Sequence, residues 1–280
     1  MQLCRTGNFC LAAWRLFILS DFDLVVGRGL QKIRNEDGDI QRKYVAGVAQ
    51  ARGMDADALW DVGAVFIPND GYLAAYCGPA VKEYGYDCYG DEGLCKWNNN
   101  LVVPITDVAG KVVAIGGFNP FVYLDAKEHG SKSVSYYKYS NSTVYKKGRY
   151  LYSVPGVLEK SIREGYAFLV DGLFDCITLS GLGFNALALL GSFVSPEIIV
   201  QLRFIGRIIL IADNDTAGIK LYETLKKQLR GLELFKQNIA KDIDDALKSE
   251  ERGKVLNLLH DVAENGFLTV NLIRVGTKFS

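Results

Sequence analysis

Residues 208–218 read Ile208-Ile209-Leu210-Ile211-Ala212-Asp213-Asn214-Asp215-Thr216-Ala217-Gly218, an apolar run that stops abruptly at two carboxylates one residue apart. A short, uninterrupted apolar run is the pattern of a parallel strand buried on both faces. Asp213 and Asp215 then stand at its carboxyl end, where open α/β sheets hold their ligands. Magnesium prefers hard oxygen donors and is commonly held by one or two carboxylates together with a substrate phosphate. A lone Asp after a strand often does no more than cap the next helix. The paired acids make a metal site an equally good reading.

Two further strand ends carry acids. Residues 166–170 (Tyr-Ala-Phe-Leu-Val) are followed by Asp171, Gly172 and Asp175, and the acid-glycine pair predicts a tight turn that exposes a carboxylate. Asp242, Asp244 and Asp245 follow the alternating segment 232–239. Helical patterns lie between: 174–182, 196–204 with Ser195 as cap and Pro196 in the first turn, and 217–229 with Leu221, Leu225 and Leu229 on one face. With 186–190 as an additional strand the order is β-α-β-α-β-α-β, which predicts a mostly parallel sheet covered by helices.

These acids in this order resemble the TOPRIM domain, specifically that of bacterial and phage DnaG-type primases. Colinear upstream pieces extend the resemblance over about residues 45–250. They are Arg52-Gly53-Met54 with Leu59 and Gly63; Val103-Pro104-Ile105-x-Asp107 with Gly110 and Gly116-Gly117; Lys138-Tyr139-Ser140-Asn141-Ser142; and Lys146-Lys147-Gly148-Arg149 with Leu151-Tyr152. The resemblance implies an α/β fold in which a TOPRIM-type, mostly parallel sheet flanked by helices (156–250) follows a smaller mixed α/β subdomain (45–155). Residues 1–44 form an N-terminal extension and 251–280 a C-terminal segment without an assigned role.

The implied activity is synthesis of short RNA primers on single-stranded DNA from ribonucleoside triphosphates, alongside a replicative helicase in the cytoplasm, or the host cytoplasm if the chain is phage-encoded. Asp171, Asp213 and Asp215 would be catalytic and hold Mg2+ or Mn2+, with Asp242 and Asp244 completing the cluster and Asp175 as a secondary acid. Lys138, Asn141, Lys146, Lys147 and Arg149 would bind template or nucleotide phosphates. Three positions depart from the family. Asp171 replaces a Glu, and Asn100 and Phe118 replace arginines. No C-x-x-C pair stands among the six cysteines to build the family's zinc ribbon, and His129 and His260 have no zinc partner at short spacing.

Composition bounds the reading. A net charge of zero over 280 residues argues against a protein that coats nucleic acid, but not against a local basic site. One such site runs from His129 to Leu158, which contains no acid and interleaves Lys132, Lys138, Lys146, Lys147 and Arg149 with tyrosines. Cations answer phosphates and tyrosine faces stack on bases. Scattered cysteines predict a reducing compartment, and the apolar run 9–19, interrupted by Arg15, is too short to span a membrane. Residues 34–43 and 91–100 read as a charged linker and a loop, the Asn98-Asn99-Asn100 run leading into a strand.

Two other classes fit parts of the pattern. Asp213-Asn214-Asp215-Thr216 also matches the Asp-x-Asp-x-Thr of haloacid dehalogenase-type phosphatases, with Asp213 as nucleophile. That motif ordinarily opens its fold, whereas here two strands precede it. A non-catalytic, primase-like nucleic-acid-binding replisome component is the other, suggested by Asp171, Asn100 and Phe118.

Overall fold

A computed structural model describes residues 22–78, 81, 97–107, 110–129, 139–141, 151–191, 193–212, 216–230, 232–235 and 243–265. The chain divides into two compact units, 1–146 and 147–280.

The first unit is built on an antiparallel sheet of order β1-β2-β3-β4, comprising β1 (Val65–Ile67), β2 (Asn100–Thr106), β3 (Val112–Phe118) and β4 (Tyr139–Asn141). The Trp97–Asn99 turn feeds β2 with Asn99 at φ 54°, a left-handed conformation that Asn tolerates better than most residues. β2 and β3 form a hairpin closed by the Asp107 and Gly110 of the sequence motif. Asp107 Oδ1 accepts from the Lys111 amide at 3.0 Å, and Gly110 takes φ 77°, which a side chain would disfavour.

Residues 34–43 are not a linker. They complete α1 (Arg28–Glu36) and open α2 (Gly38–Arg52), and α1 follows a π-helical turn over Asp23–Gly27. Phe22, Val26, Leu30 and Ile33 are buried with Val65, Ile67, Leu73, Trp97, Val102 and Ile115 in one core. The charged composition misled because its polar groups find partners distant in sequence. Gln41 is fully buried, and its amide pairs with both the Phe66 N–H (2.7 Å) and the Phe66 carbonyl (2.9 Å), closing the free edge of β1. Asp37 Oδ2 accepts from the hydroxyls of Tyr72 (2.5 Å) and Tyr76 (2.6 Å) on α4 (Asp70–Cys77), which follows the short α3 (Ala56–Asp61).

The second unit holds a sheet of order β5-β7-β6-β8-β9: β5 (Tyr152–Ser153), β7 (Ala186–Ala188), β6 (Tyr166–Val170), β8 (Arg207–Ile211) and β9 (Leu232–Phe235). Only β5 is antiparallel. The predicted strand 186–190 is shorter because Leu190 turns to φ 55°. The helices are α6 (Val157–Glu164), α7 (Leu173–Gly181), α8 (Pro196–Arg203), α9 (Thr216–Lys226), α10 (Ile243–Lys248) and α11 (Arg252–Asn265), numbered after α5 (Pro120–His129) of the first unit. Ser195 caps α8 by accepting from the Ile198 amide.

One sheet face, Ala167, Leu169, Leu187, Ile208 and Leu210, packs against Ile198 and Leu202 of α8 and Leu221, Leu225 and Leu229 from α9 and its end. On the other face Phe168 meets Phe184 edge-on at 5.5 Å, and Phe184 meets His260 of α11 at 4.8 Å. Arg207 anchors α11 by donating to the carbonyls of Val262 (3.0 Å) and Ala263.

Gln41→Ala should lower stability by about 2–4 kcal/mol, because it strands two buried backbone groups as well as removing the side chain's own bonds. Denaturant unfolding that finds less than about 0.5 kcal/mol would show that the edge does not depend on Gln41. The hydroxyls of Tyr72 and then Tyr76 hold the Asp37 carboxyl below its ordinary value. Its contribution is therefore full above the unfolded carboxylate pKa, about 4, and is lost as pH falls through the lowered folded value. Tyr72→Phe should lower the neutral-pH plateau and so flatten that acid limb in melts between about pH 2 and 5, the difference from the wild type shrinking toward the acid end.

Candidate metal centre

Strands β6 and β8 are neighbours and parallel, with Leu169 opposite Leu210. From β6 the chain passes through α7 to β7 on one side, and from β8 it passes through α9 to β9 on the other. Right-handed crossovers in opposite directions put α7 and α9 on opposite faces, as the cores show, and leave a crevice at the carboxyl ends of β6 and β8.

Asp171 stands on the β6 lip of that crevice, half-buried. Continuing the register by two residues sets it level with Ala212, the last described residue before Asp213. Gly172 is not a left-handed turn glycine as the acid-glycine pair suggests: it is extended, φ −96° and ψ 144°. Its importance is the missing Cβ, which would collide with Asp175 Oδ2. The bare backbone lets Asp175, in the first turn of α7, fold its carboxylate back over Gly172. The positive end of the α7 dipole favours negative charge there. β7 helps to hold this lip, since the Leu189 amide donates to the Val170 carbonyl at 3.0 Å. Leu190 then takes its left-handed turn at a cost of about 1–2 kcal/mol. No composition rule marks Leu190, and the sequence reading missed it.

Asp213, Asp215 and Asp242 lie outside the described residues. Asp244 is in α10, its side chain outside them. Among the described residues no three His, Cys, Asp or Glu side chains gather to hold a metal. Asp171 and Asp175 are hard oxygen donors beside a turn cleared of a side chain, and this donor set fits a divalent cation such as magnesium. Cys176, next in the chain, does not belong to the site: its thiol donates to the Ala186 carbonyl at 3.3 Å, and burial pushes its pKa up.

Lys138, Lys146, Lys147 and Arg149 also lie outside the described residues. Asn141 is in the edge strand β4 opposite Gly116, its side chain not described. Asn100 and Phe118, the two departures from arginine, are both buried and face no phosphate. The Asn100 amide donates to the Asn98 carbonyl at 2.7 Å, and Phe118 lies under the buried Arg52 guanidinium at 4.8 Å. Both residues act in the packing of the first unit.

A Toprim-like family profile matches residues 168–247, the stretch of sequence that contains Asp171, Asp175, Asp213, Asp215, Asp242 and Asp244. The DNA primase of Rickettsia felis is 32% identical over 126 residues, which cover 44% of this chain and 20% of that protein. The DNA primase of Aquifex aeolicus is 28% identical over 170 residues, covering 59% and 32%. The chain thus spans a fifth to a third of the length of these curated relatives. Among solved structures, the zinc-binding and RNA polymerase domains of the Aquifex aeolicus primase superpose with a TM-score of 0.63 at 22% identity, covering 85% of this chain and 60% of that one. A DnaG primase catalytic domain bound to single-stranded DNA gives 0.63 at 20% identity, covering 83% and 78%. The E. coli primase catalytic core gives 0.62 at 20%, covering 88% and 83%. Over part of its length this chain is therefore similar in sequence to DNA primases, it contains a Toprim-like segment, and its fold is that of the DnaG primase catalytic core.

Proposed function

We propose that the chain is a primase-type nucleotidyltransferase core, making short RNA primers on single-stranded DNA. The observation that carries this reading is the crevice between β6 and β8, with Asp171 and Asp175 on one lip and the Asp213-Asn214-Asp215 link leaving the other strand. Relatives named DNA primase, and a neighbour of the same fold bound to single-stranded DNA, support it.

Asp171, Asp213 and Asp215, with Asp175, Asp242 and Asp244 around them, would hold Mg2+ or Mn2+. When bound, the ion neutralises triphosphate charge and lowers the barrier to attack by a 3′ hydroxyl. The chain's own part is to fix these carboxylates at a rigid strand end so that the reacting groups are held in line. Lys138, Asn141, Lys146, Lys147 and Arg149 would bind template and nucleotide phosphates through charge-assisted hydrogen bonds. A replicative helicase is the partner such a core would serve, in the cytoplasm. No helix among the described residues is long and apolar enough to cross a membrane.

The phosphatase reading is disfavoured because β8, which would have to open that fold, follows β6 and β7 in the same sheet. The non-catalytic reading rested on Asp171, Asn100 and Phe118, and burial of the last two gives them a packing role instead.

Primer synthesis with magnesium, ribonucleoside triphosphates and a single-stranded template is the direct test. Asp171→Ala should reduce it by about 100-fold or more, while Asp171→Glu, which moves the oxygens by about one ångström, should keep or raise the rate. Magnesium should raise the melting temperature of the wild type. In the Asp213→Asn/Asp215→Asn variant the metal-free protein should be more stable, because like-charge repulsion is gone, and the magnesium increment should vanish. Full primer synthesis in Asp171→Ala, or an increment that survives in the double variant, places the chemistry elsewhere.

Neutralising Lys138, Lys147 and Arg149 together should weaken single-strand binding and reduce the slope of log affinity against log salt by about 2, roughly 0.7 per lost phosphate contact. An unchanged slope in a folded protein removes these residues from the interface.

A further inference from the structure

Phe193 is 64% exposed although the chain is pinned on both sides of it. Leu189, four residues before, is fully buried, Val194 packs on the core of the second unit, and Ser195 is buried as the cap of α8. Among the described residues the Phe193 ring stacks on no other aromatic ring. A single exposed apolar side chain is ordinary on a protein surface, so its place decides what this one does.

That place is the carboxyl edge of the sheet, on the Asp171 side of the crevice. Parallel pairing sets Val170 opposite Ala188, and the Leu189 amide donates to the Val170 carbonyl at 3.0 Å. Leu189 therefore stands level with Asp171 on the neighbouring strand, about 5 Å away. From there the chain enters α8, which joins β7 to β8, and β6 lies between those two strands. The connecting segment must head toward β6 and the crevice, away from β5, and the left-handed backbone of Leu190 begins that turn. Phe193 is four residues past Leu189, at most about 14 Å along the chain. Val200 and Phe204, also exposed, lie about 6 and 12 Å beyond Pro196 down α8, toward the amino edge where β8 begins, and take no part.

A divalent ion held at this edge takes the phosphates of a nucleotide and leaves its base a sugar and the phosphate chain away, on the scale of that segment. A phenyl ring offers a flat apolar face and no hydrogen bond, so it can stack on any base and reads none. We propose that Phe193 stacks on the base of the ribonucleotide whose phosphates occupy the metal centre, holding it there without selecting which base it is. This rests on the catalytic reading above and adds to it the residue that contacts the base.

Titration calorimetry of the full chain with magnesium tests this, using each common ribonucleoside triphosphate and, as a probe without a base, ribose 5′-triphosphate. Phe193→Ala and Phe193→Leu should each weaken every nucleotide by about tenfold, the Leu variant because it keeps apolar bulk but loses the π-face. Phe193→Tyr and Phe193→Trp should bind nucleotides as tightly as the wild type or more so. Ribose 5′-triphosphate should bind the wild type and Phe193→Ala equally. The side chain faces solvent, and circular dichroism checks the fold of each variant. Unchanged nucleotide affinity in Phe193→Ala, or wild-type affinity in Phe193→Leu, overturns the proposal. So does a loss confined to single-stranded DNA titrated without nucleotide, because the ring would then stack on the template. Binding of ribose 5′-triphosphate that survives Asp213→Asn/Asp215→Asn instead removes the metal centre from this edge, and the proposal falls with the catalytic reading.

Discussion

The parallel pairing of β6 with β8 is the constraint on which the second unit depends. Two neighbouring strands whose onward connections leave in opposite directions must send their helices to opposite faces, and no helix then covers the gap at their carboxyl ends. Asp171 and Asp175 belong to the end of β6 and the first turn of α7, so the sheet order sets both at its carboxyl edge. The strands beneath that edge are fully buried: Ala167, Phe168, Leu169, Ile208, Ile209 and Leu210 are each at most 1% exposed.

The same economy of space governs the fine geometry. Gly172 is needed for the volume it leaves empty, not for a rare backbone angle, and Asp175 uses that volume. Leu190 shows the opposite case, an apolar residue held in a left-handed conformation next to the lip where β7 ties to β6. Strain of this kind persists only where surrounding structure over-determines it, and the buried Leu189 beside it supplies that restraint.

The first unit solves a different problem, an antiparallel sheet with exposed edges. Gln41 reproduces one residue's worth of strand hydrogen bonding from a helix, satisfying Phe66 on both sides. Asp37, Tyr72 and Tyr76 bind α4 to the junction of α1 and α2. On the sheet itself, Arg52 stacked on Phe118 shows that a cation in the first family motif is partly used inside the unit.

The sequence by itself determined the alternation of elements in the second unit, its parallel character and the acid-bearing strand ends. Periodicity and runs of β-branched residues are local properties, and α7, α8 and α9 begin within a residue or so of where they are expected. It also determined the turn at Asn98-Asn99-Asn100, since turn chemistry is local too. Only the tertiary structure decided that 34–43 is helix, because Gln41 and Asp37 are satisfied by groups more than 20 residues away. It decided likewise that Asn100 and Phe118 are buried and that Gly172 serves through its missing Cβ. Burial and through-space contact depend on which elements meet, and one-dimensional patterns record only that a residue is apolar, polar or small.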